Sequence, residues 1–443
     1  MPDALSIPEA LSLAVTLHKG GRLAEAESIY REIIEIEPTQ LDALHFLGML
    51  LHQLGRSEAG LALLGDTLKL DPFHADAHNN LGNILKELGR LDDAADAYRS
   101  VIELRPDHAD AHNNLGTVLK GQKKIKDAVA CYEKAITIDP KHTGAFHNLG
   151  NAYKNLGHLD DAENAYRSAI ELSPDNASVY QNLCATLCAA GNLGKAQVVL
   201  REWLCYDPDN EIAHHLMAAC SGEGVPARAS DAYVQTVFDN MAGSFDDRLG
   251  DLDYRAPDLV ANAVANALPL PDKQFDVLDA GCGTGLCGPF LRAYAHRLIG
   301  VDLSPRMLAK ARQRDVYDEL IAAELTRYLL DHAREFDAVI SADTLVYFGA
   351  IDEFAAAAAS ALRPGGHLVF TLERAERAEV PGGFRLNPNG RYSHTEDYVR
   401  RSLSGAGLRI RSIETVILRT ERSQPVEGLL VRACSRTPDG SEG

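Results

Sequence analysis

Prolines at positions 38, 72, 106, 140, 174 and 208 are spaced by 34 residues without a slip. No other feature restricts the folding of this chain as tightly. Gly21, Gly55, Gly89, Gly157 and Gly191 recur in phase, with Lys123 as the exception, and Ala26, Ala94, Ala128, Ala162 and Ala196 follow five residues later. Leu47-Gly48, Leu81-Gly82, Leu115-Gly116 and Leu149-Gly150 recur as well. A strict period of this length marks one supersecondary unit that cannot hide its apolar face alone, so successive units must stack. Each unit is predicted to be two antiparallel helices, with alanine where the two approach closely.

This period, with its Pro, Gly, Ala and Leu-Gly positions, resembles the tetratricopeptide (TPR) repeat. Six repeats are expected over residues 7–208, with residues 210–220 as a capping helix, so that a TPR superhelix spans 7–220. Asn80, Asn114, Asn148 and Asn182 hold one phase of the period and therefore one face of a solenoid. The pattern is similar to the repeats of the O-linked N-acetylglucosamine transferases, where such a row grips protein clients through the peptide backbone, but no glycosyltransferase domain follows. A second reading has each amide cap or brace the neighbouring repeat. Ser12 and Phe46 occupy the phase in the first two repeats, which centres any peptide groove on repeats three to five.

Ser221-Gly222-Glu223-Gly224-Val225-Pro226 breaks the helical pattern and marks a domain boundary. Beyond it, Asp276 and the apolar pair Val277-Leu278 enter Asp279-x-Gly281-x-Gly283-x-Gly285, and a helix start follows. Strand, tight turn and helix N-terminus aim backbone N–H groups at a ligand. Glycine there lets the backbone close on the ligand and adopt positive φ. Gly283-x-Gly285-x-x-Gly288 alone would also fit a dinucleotide site. The acid placed ahead of the glycines makes roughly residues 225–436 resemble the class I S-adenosylmethionine-dependent methyltransferases.

That resemblance implies an α/β Rossmann-like domain at 275–436, preceded at 221–274 by a linker and a cofactor-covering helical segment. It also implies S-adenosyl-L-methionine as the cofactor. Strands are expected at 275–280, 297–302, 319–323, 336–342, 366–373, 408–418 and 428–435, with ligands outside their carboxyl ends. The resemblance places Asp279, Gly281, Cys282, Gly283 and Gly285 in the cofactor loop. It also places Asp302 with Leu303 at the ribose, Glu324 with Leu325 at the adenine, and Asp343 at the methionine end. Phe238 and Tyr254 are expected in the covering segment, or else in core packing. Tyr347 faces substrate or is a core aromatic. Arg391, Tyr392 and His394 lie where substrate-specific insertions occur. His394 is the candidate base because imidazole titrates near working pH, or it is a surface histidine capping the next helix.

Hydrophobic residues make up 46% of the chain and charged residues 24%, the balance of globular protein. A net charge of −19, shared by both halves, disfavours nucleic acid and anionic lipid. Eight scattered cysteines without a CxxC pair point to a reduced, cytoplasmic protein and no metal site. Residues 437–443 read as a disordered tail. The chain is thus expected to be multidomain, an all-α TPR solenoid followed by a methyltransferase domain. It is similar in arrangement to bacterial methyltransferases that carry TPR repeats. The arm would recruit a protein or peptide that the enzyme methylates. The alternatives are a small-molecule O- or N-methyltransferase whose arm serves assembly, and a scaffold with an inactive domain. A homo-oligomer is also open.

Overall fold

The computed structural model describes residues 5–250, 252–268, 271–376, 380, 382–421 and 424–436. The chain divides into two compact units, residues 1–191 and 192–443. The division falls inside the sixth repeat, not at the expected boundary near residue 220. The second helix of that repeat, Leu193–Tyr206, and the helix Glu211–Ser221 belong to the second unit. The expected tail lies outside the described residues.

In the first unit, helices alternate in pairs from Ile7–Lys19 to Ala177–Ala189. The reason for the Leu-Gly phase is steric. A Cβ on Gly82, Gly116 or Gly150 would come within 2.8, 2.7 or 2.6 Å of the ring of Tyr98, Tyr132 or Tyr166 on the facing helix. Those tyrosines are fully buried. The turn between paired helices needs a left-handed residue, and Lys123 takes φ 63° where the other repeats place glycine. His74, His108 and His142, again 34 residues apart, cap the following helices by accepting the N–H of Ala77, Ala111 and Ala145.

The second unit is built on one nine-stranded sheet. Strands β1 (Phe275–Ala280), β2 (Ala295–Asp302), β3 (Glu319–Ala322), β4 (Phe336–Ser341) and β5 (Leu362–Arg374) run parallel in the order β3-β2-β1-β4-β5. Two short strands not anticipated from the sequence, β6 (Phe384–Leu386) and β7 (Tyr392–His394), form a hairpin, and β7 continues on the end of β5. β8 (Arg409–Glu421) pairs antiparallel with β9 (Gln424–Cys434), which pairs antiparallel with β5. Their apolar runs, Val277-Leu278 and Ala338-Val339-Ile340 among them, are buried on both faces, as a parallel sheet covered by helices requires. The fold is therefore an all-helical repeat array followed by a mixed α/β sheet of Rossmann-like methyltransferase type.

Candidate functional site

A cavity of about 340 Å³ opens at the carboxyl ends of β1, β2 and β4, where the switch in strand order leaves a crevice. Its lining includes the loop after β1, Asp302 and Leu303 after β2, Glu324 and Leu325 after β3, and Asp343 after β4. Phe238, Phe245 and Tyr254 line it from the segment ahead of the sheet, which carries the helices Asp231–Met241 and Phe245–Gly250. Tyr347 and Arg391 line it as well. Three candidates from the sequence are not among the lining residues: Gly285, Tyr392 and His394.

The glycines of the loop do different jobs. Gly281, Gly283 and Gly285 all have positive φ. A Cβ on Gly281 would lie 2.2 Å from the Thr344 hydroxyl, and one on Gly285 would lie 2.9 Å from the Tyr317 ring. At Gly283 a Cβ would meet nothing within 4 Å, so only there does the backbone face open space. Two of the three glycines thus make room for the chain itself, a reason the sequence did not show, while Gly281 and Gly283 line the cavity.

Asp279, 1% exposed, accepts the Tyr317 hydroxyl at 2.6 Å, and burial pushes its carboxyl up to about 7. Asp302 accepts the Gly283 N–H at 2.9 Å and the Ser304 N–H at 2.8 Å, and burial raises its pKa too. Its carboxylate keeps acceptor capacity beyond these two bonds. Helix capping falls to Ser304, whose hydroxyl accepts the Met307 N–H. Glu324 caps the helix Leu325–Asp331 through the N–H groups of Thr326 and Arg327.

Asp343 sits at φ 56°, a conformation that non-glycine residues rarely hold without a local reason. Its N–H donates to Thr371 and its Oδ2 accepts Arg419 at 2.8 Å, while Oδ1 is buried without a partner. Burial raises its carboxyl to about 6 against the pull of Arg419. Arg419, only 2% exposed, also holds Glu421 at 2.6 Å and Glu373. Arg391 reaches the same two carboxylates, with its Nε 2.7 Å from Glu373. Arg419 was missed in the sequence, yet it is the lone charge within Val416-Ile417-Leu418-Arg419, a signal that could have found it. Asp239 and Asp246 were missed too. The Ser304 and Thr284 hydroxyls donate to them at 2.5 Å each, which ties the covering segment to the cofactor side of the sheet.

His394 is a correction. It is fully buried, its Nε2 lies 2.9 Å from the Gly349 carbonyl, and burial lowers its pKa to about 4. It lies outside the cavity lining and away from the surface, so the structure lends no support to it as base or as an exposed cap. Tyr392 is likewise buried, its hydroxyl donating to the Pro226 carbonyl at 2.8 Å. Tyr347 remains at the cavity, edge-on to Phe238 at 5.3 Å, with burial raising its hydroxyl to about 12.

In the repeats, three of the four row asparagines brace the preceding unit. Asn80 reaches His45 at 2.7 Å, Asn148 donates to Asn113 at 2.9 Å, and Asn182 reaches His147 at 3.0 Å. The bracing reading thus describes these three amides, each of which contacts a residue 35 positions earlier.

Residues 277–366 match the methyltransferase domain family. Residues 17–84, 82–123, 109–142, 131–164 and 156–220 match tetratricopeptide repeat families. The chain therefore carries TPR repeats followed by a class I methyltransferase domain. That domain is homologous to S-adenosylmethionine-dependent enzymes. Methyltransferase-like protein 27 of Homo sapiens is 35% identical over 122 residues, 27% of this chain and 49% of that protein. A ubiquinone biosynthesis O-methyltransferase of Aromatoleum aromaticum is 33% identical over 138 residues, 28% of this chain and 56% of that protein. The chain spans about half the length of these curated relatives. Among solved structures, YrrB, a TPR protein with an unusual peptide-binding site, is 25% identical with a TM-score of 0.36, covering 42% of this chain and 96% of that one. Among the described residues no helix is long and apolar enough to cross a membrane.

Proposed function

We propose that this chain is an S-adenosylmethionine-dependent methyltransferase whose repeats hold a protein or peptide client, and that the client, or something it carries, receives the methyl group. TPR repeats bind protein or peptide in general. The observation that carries the reading is the cavity at the ends of β1, β2 and β4. It joins one open glycine, one carboxylate with spare acceptor capacity and one buried carboxylate oxygen without a partner.

The donor set suits the cofactor. Asp302 would take the ribose hydroxyls and Gly283 would leave room for the backbone to approach. Asp343 Oδ1 would take the methionine ammonium, and Glu324 with Leu325 would border the adenine. S-adenosylmethionine supplies an electrophilic methyl on a sulfonium. The remaining task of the chain is to align the acceptor and receive its proton. Tyr347 and Arg391 would position the acceptor, and Phe238 and Tyr254 would exclude water. No histidine lines the cavity among the described residues. A small-molecule acceptor, with the repeats used for assembly, is the second reading, since the matched relatives include a ubiquinone biosynthesis enzyme.

The deciding experiment adds purified protein and labelled S-adenosylmethionine to lysate of a strain lacking this chain. Label in a discrete protein band supports the client reading. Label confined to free small molecules, with none on a protein or on anything a protein carries, refutes it and selects the second reading.

A further inference from the structure

The first helices of repeats three to five are Ala75–Glu87, Ala109–Gly121 and Thr143–Leu156. Positions 79, 80, 83 and 86 of the first, spaced i, i+1, i+4 and i+7, share one helix face. The same face recurs 34 and 68 residues on. All twelve side chains are half-buried, neither core nor open surface. They comprise seven asparagines, three lysines, one threonine and one histidine. Not one is acidic, in a chain of net charge −19.

Among the described residues, two of those lysines, Lys86 and Lys120, make no ion pair or hydrogen bond, and burial lowers the pKa of Lys120. Lys154 donates to Asn182 at 3.0 Å. His147, between them in the array, has its pKa lowered by burial first and then by the charges of Lys120 and Lys154. The cationic field of the row therefore converges on this face.

The row of amides is also open at one rung. His45 pairs with Asn80, Asn113 with Asn148 and His147 with Asn182, but the equivalent pair, Asn79 and Asn114, does not form. Asn79 Oδ1 is instead buried with no partner, and Asn114 makes no side-chain hydrogen bond among the described residues. A buried amide oxygen left unpaired is costly, so this rung is where an incoming N–H gains most.

We propose that this face binds an extended client segment rich in Asp and Glu. Asn79 and Asn114 would take its backbone, and Lys86 and Lys120 its carboxylates. The inference rests on the reading of the repeats as a peptide-holding arm and adds the chemistry of the peptide. Complementarity of charge selects it, because a like-charged or neutral segment leaves the two ammonium groups without a partner.

The test is fluorescence anisotropy on the full chain. The probes are three short labelled peptides, blocked at both ends, of repeating Glu-Gly-Ser, Gln-Gly-Ser and Lys-Gly-Ser. The Glu peptide should bind at least ~10-fold tighter than the Gln peptide, and the advantage should shrink in high salt. Lys86→Gln with Lys120→Gln should erase that advantage, leaving Gln-peptide binding and the melting temperature unchanged. Glu and Gln peptides bound alike would overturn the acidic preference and leave the arm standing. No binding by any of the three would overturn the arm as well. A Glu advantage that survives the double substitution would place the site elsewhere and overturn the proposal.

Discussion

Gly285→Ala separates two reasons for a glycine in the loop after β1. If the residue served only the ligand, the substitution would weaken cofactor binding and leave the fold intact. The structure gives a different expectation. Gly285 holds φ 82°, where an L side chain costs roughly 1–2 kcal/mol. Its new Cβ would lie 2.9 Å from Tyr317 Cε2 and 3.2 and 3.3 Å from Ala311 Cβ and Cα. Tyr317 has nowhere to retreat. Its hydroxyl is bonded to Asp279, and its ring also fills the space beside Gly288 and Gly300. Overpacking of this kind adds about 1–3 kcal/mol, for a total of about 2–5 kcal/mol. In a unit of this size that lowers the melting temperature by roughly 4–20 °C. Gly283→Ala, at φ 54° with open space around its Cβ, carries the backbone cost alone. It should melt within a few degrees of the parent while losing S-adenosylmethionine affinity. Thermal unfolding and titration calorimetry on the two variants decide the matter. Equal melting temperatures would refute the packing argument.

Asp302→Ala should weaken S-adenosylmethionine binding at least ~10-fold, about 1.4 kcal/mol, and unchanged affinity in calorimetry would remove Asp302 from the site. His394 is neutral in the fold down to about pH 4, whereas in the unfolded chain it takes up a proton below about 6.5. Its contribution is therefore full above pH 6.5 and is lost as pH falls toward 4, by up to about 3 kcal/mol. His394→Gln should flatten that limb of a stability-versus-pH curve and leave the pH–rate profile unchanged in shape. A vanished rate pKa would restore His394 as a base. Arg419→Met strands Asp343 in the interior and leaves Glu373 to Arg391 alone, and it should cost about 3–5 kcal/mol by denaturant unfolding; a loss below 1 kcal/mol would count against a tightly coupled cluster. Asn148→Ala should cost about 1 kcal/mol for its lost brace to Asn113, whereas Asn114→Ala should leave stability within about 0.5 kcal/mol. Equal melting losses would contradict the open rung.

Periodicity carried what is local and repeated. The 34-residue phase, the glycine turns and the half-buried amide face follow from helix geometry, because equal phase in a stacked array means equal environment. Apolar runs ending in Asp279, Asp302 and Asp343 likewise marked the crevice, since side chains at the ends of parallel strands converge there. Contacts between residues far apart in the chain left no such trace. Tyr317 claims the space beside Gly285, Arg419 gathers carboxylates from three separate segments, and Gly349 takes the ring of His394 out of the cavity. His394 reads as a near-neutral base by its residue type, whereas burial lowers its pKa to about 4. The sequence by itself determined the repeats, the parallel strands and their ends, because each is written in local spacing. Only the tertiary structure decided which of those residues face the cavity, because desolvation and steric exclusion depend on what packs around them.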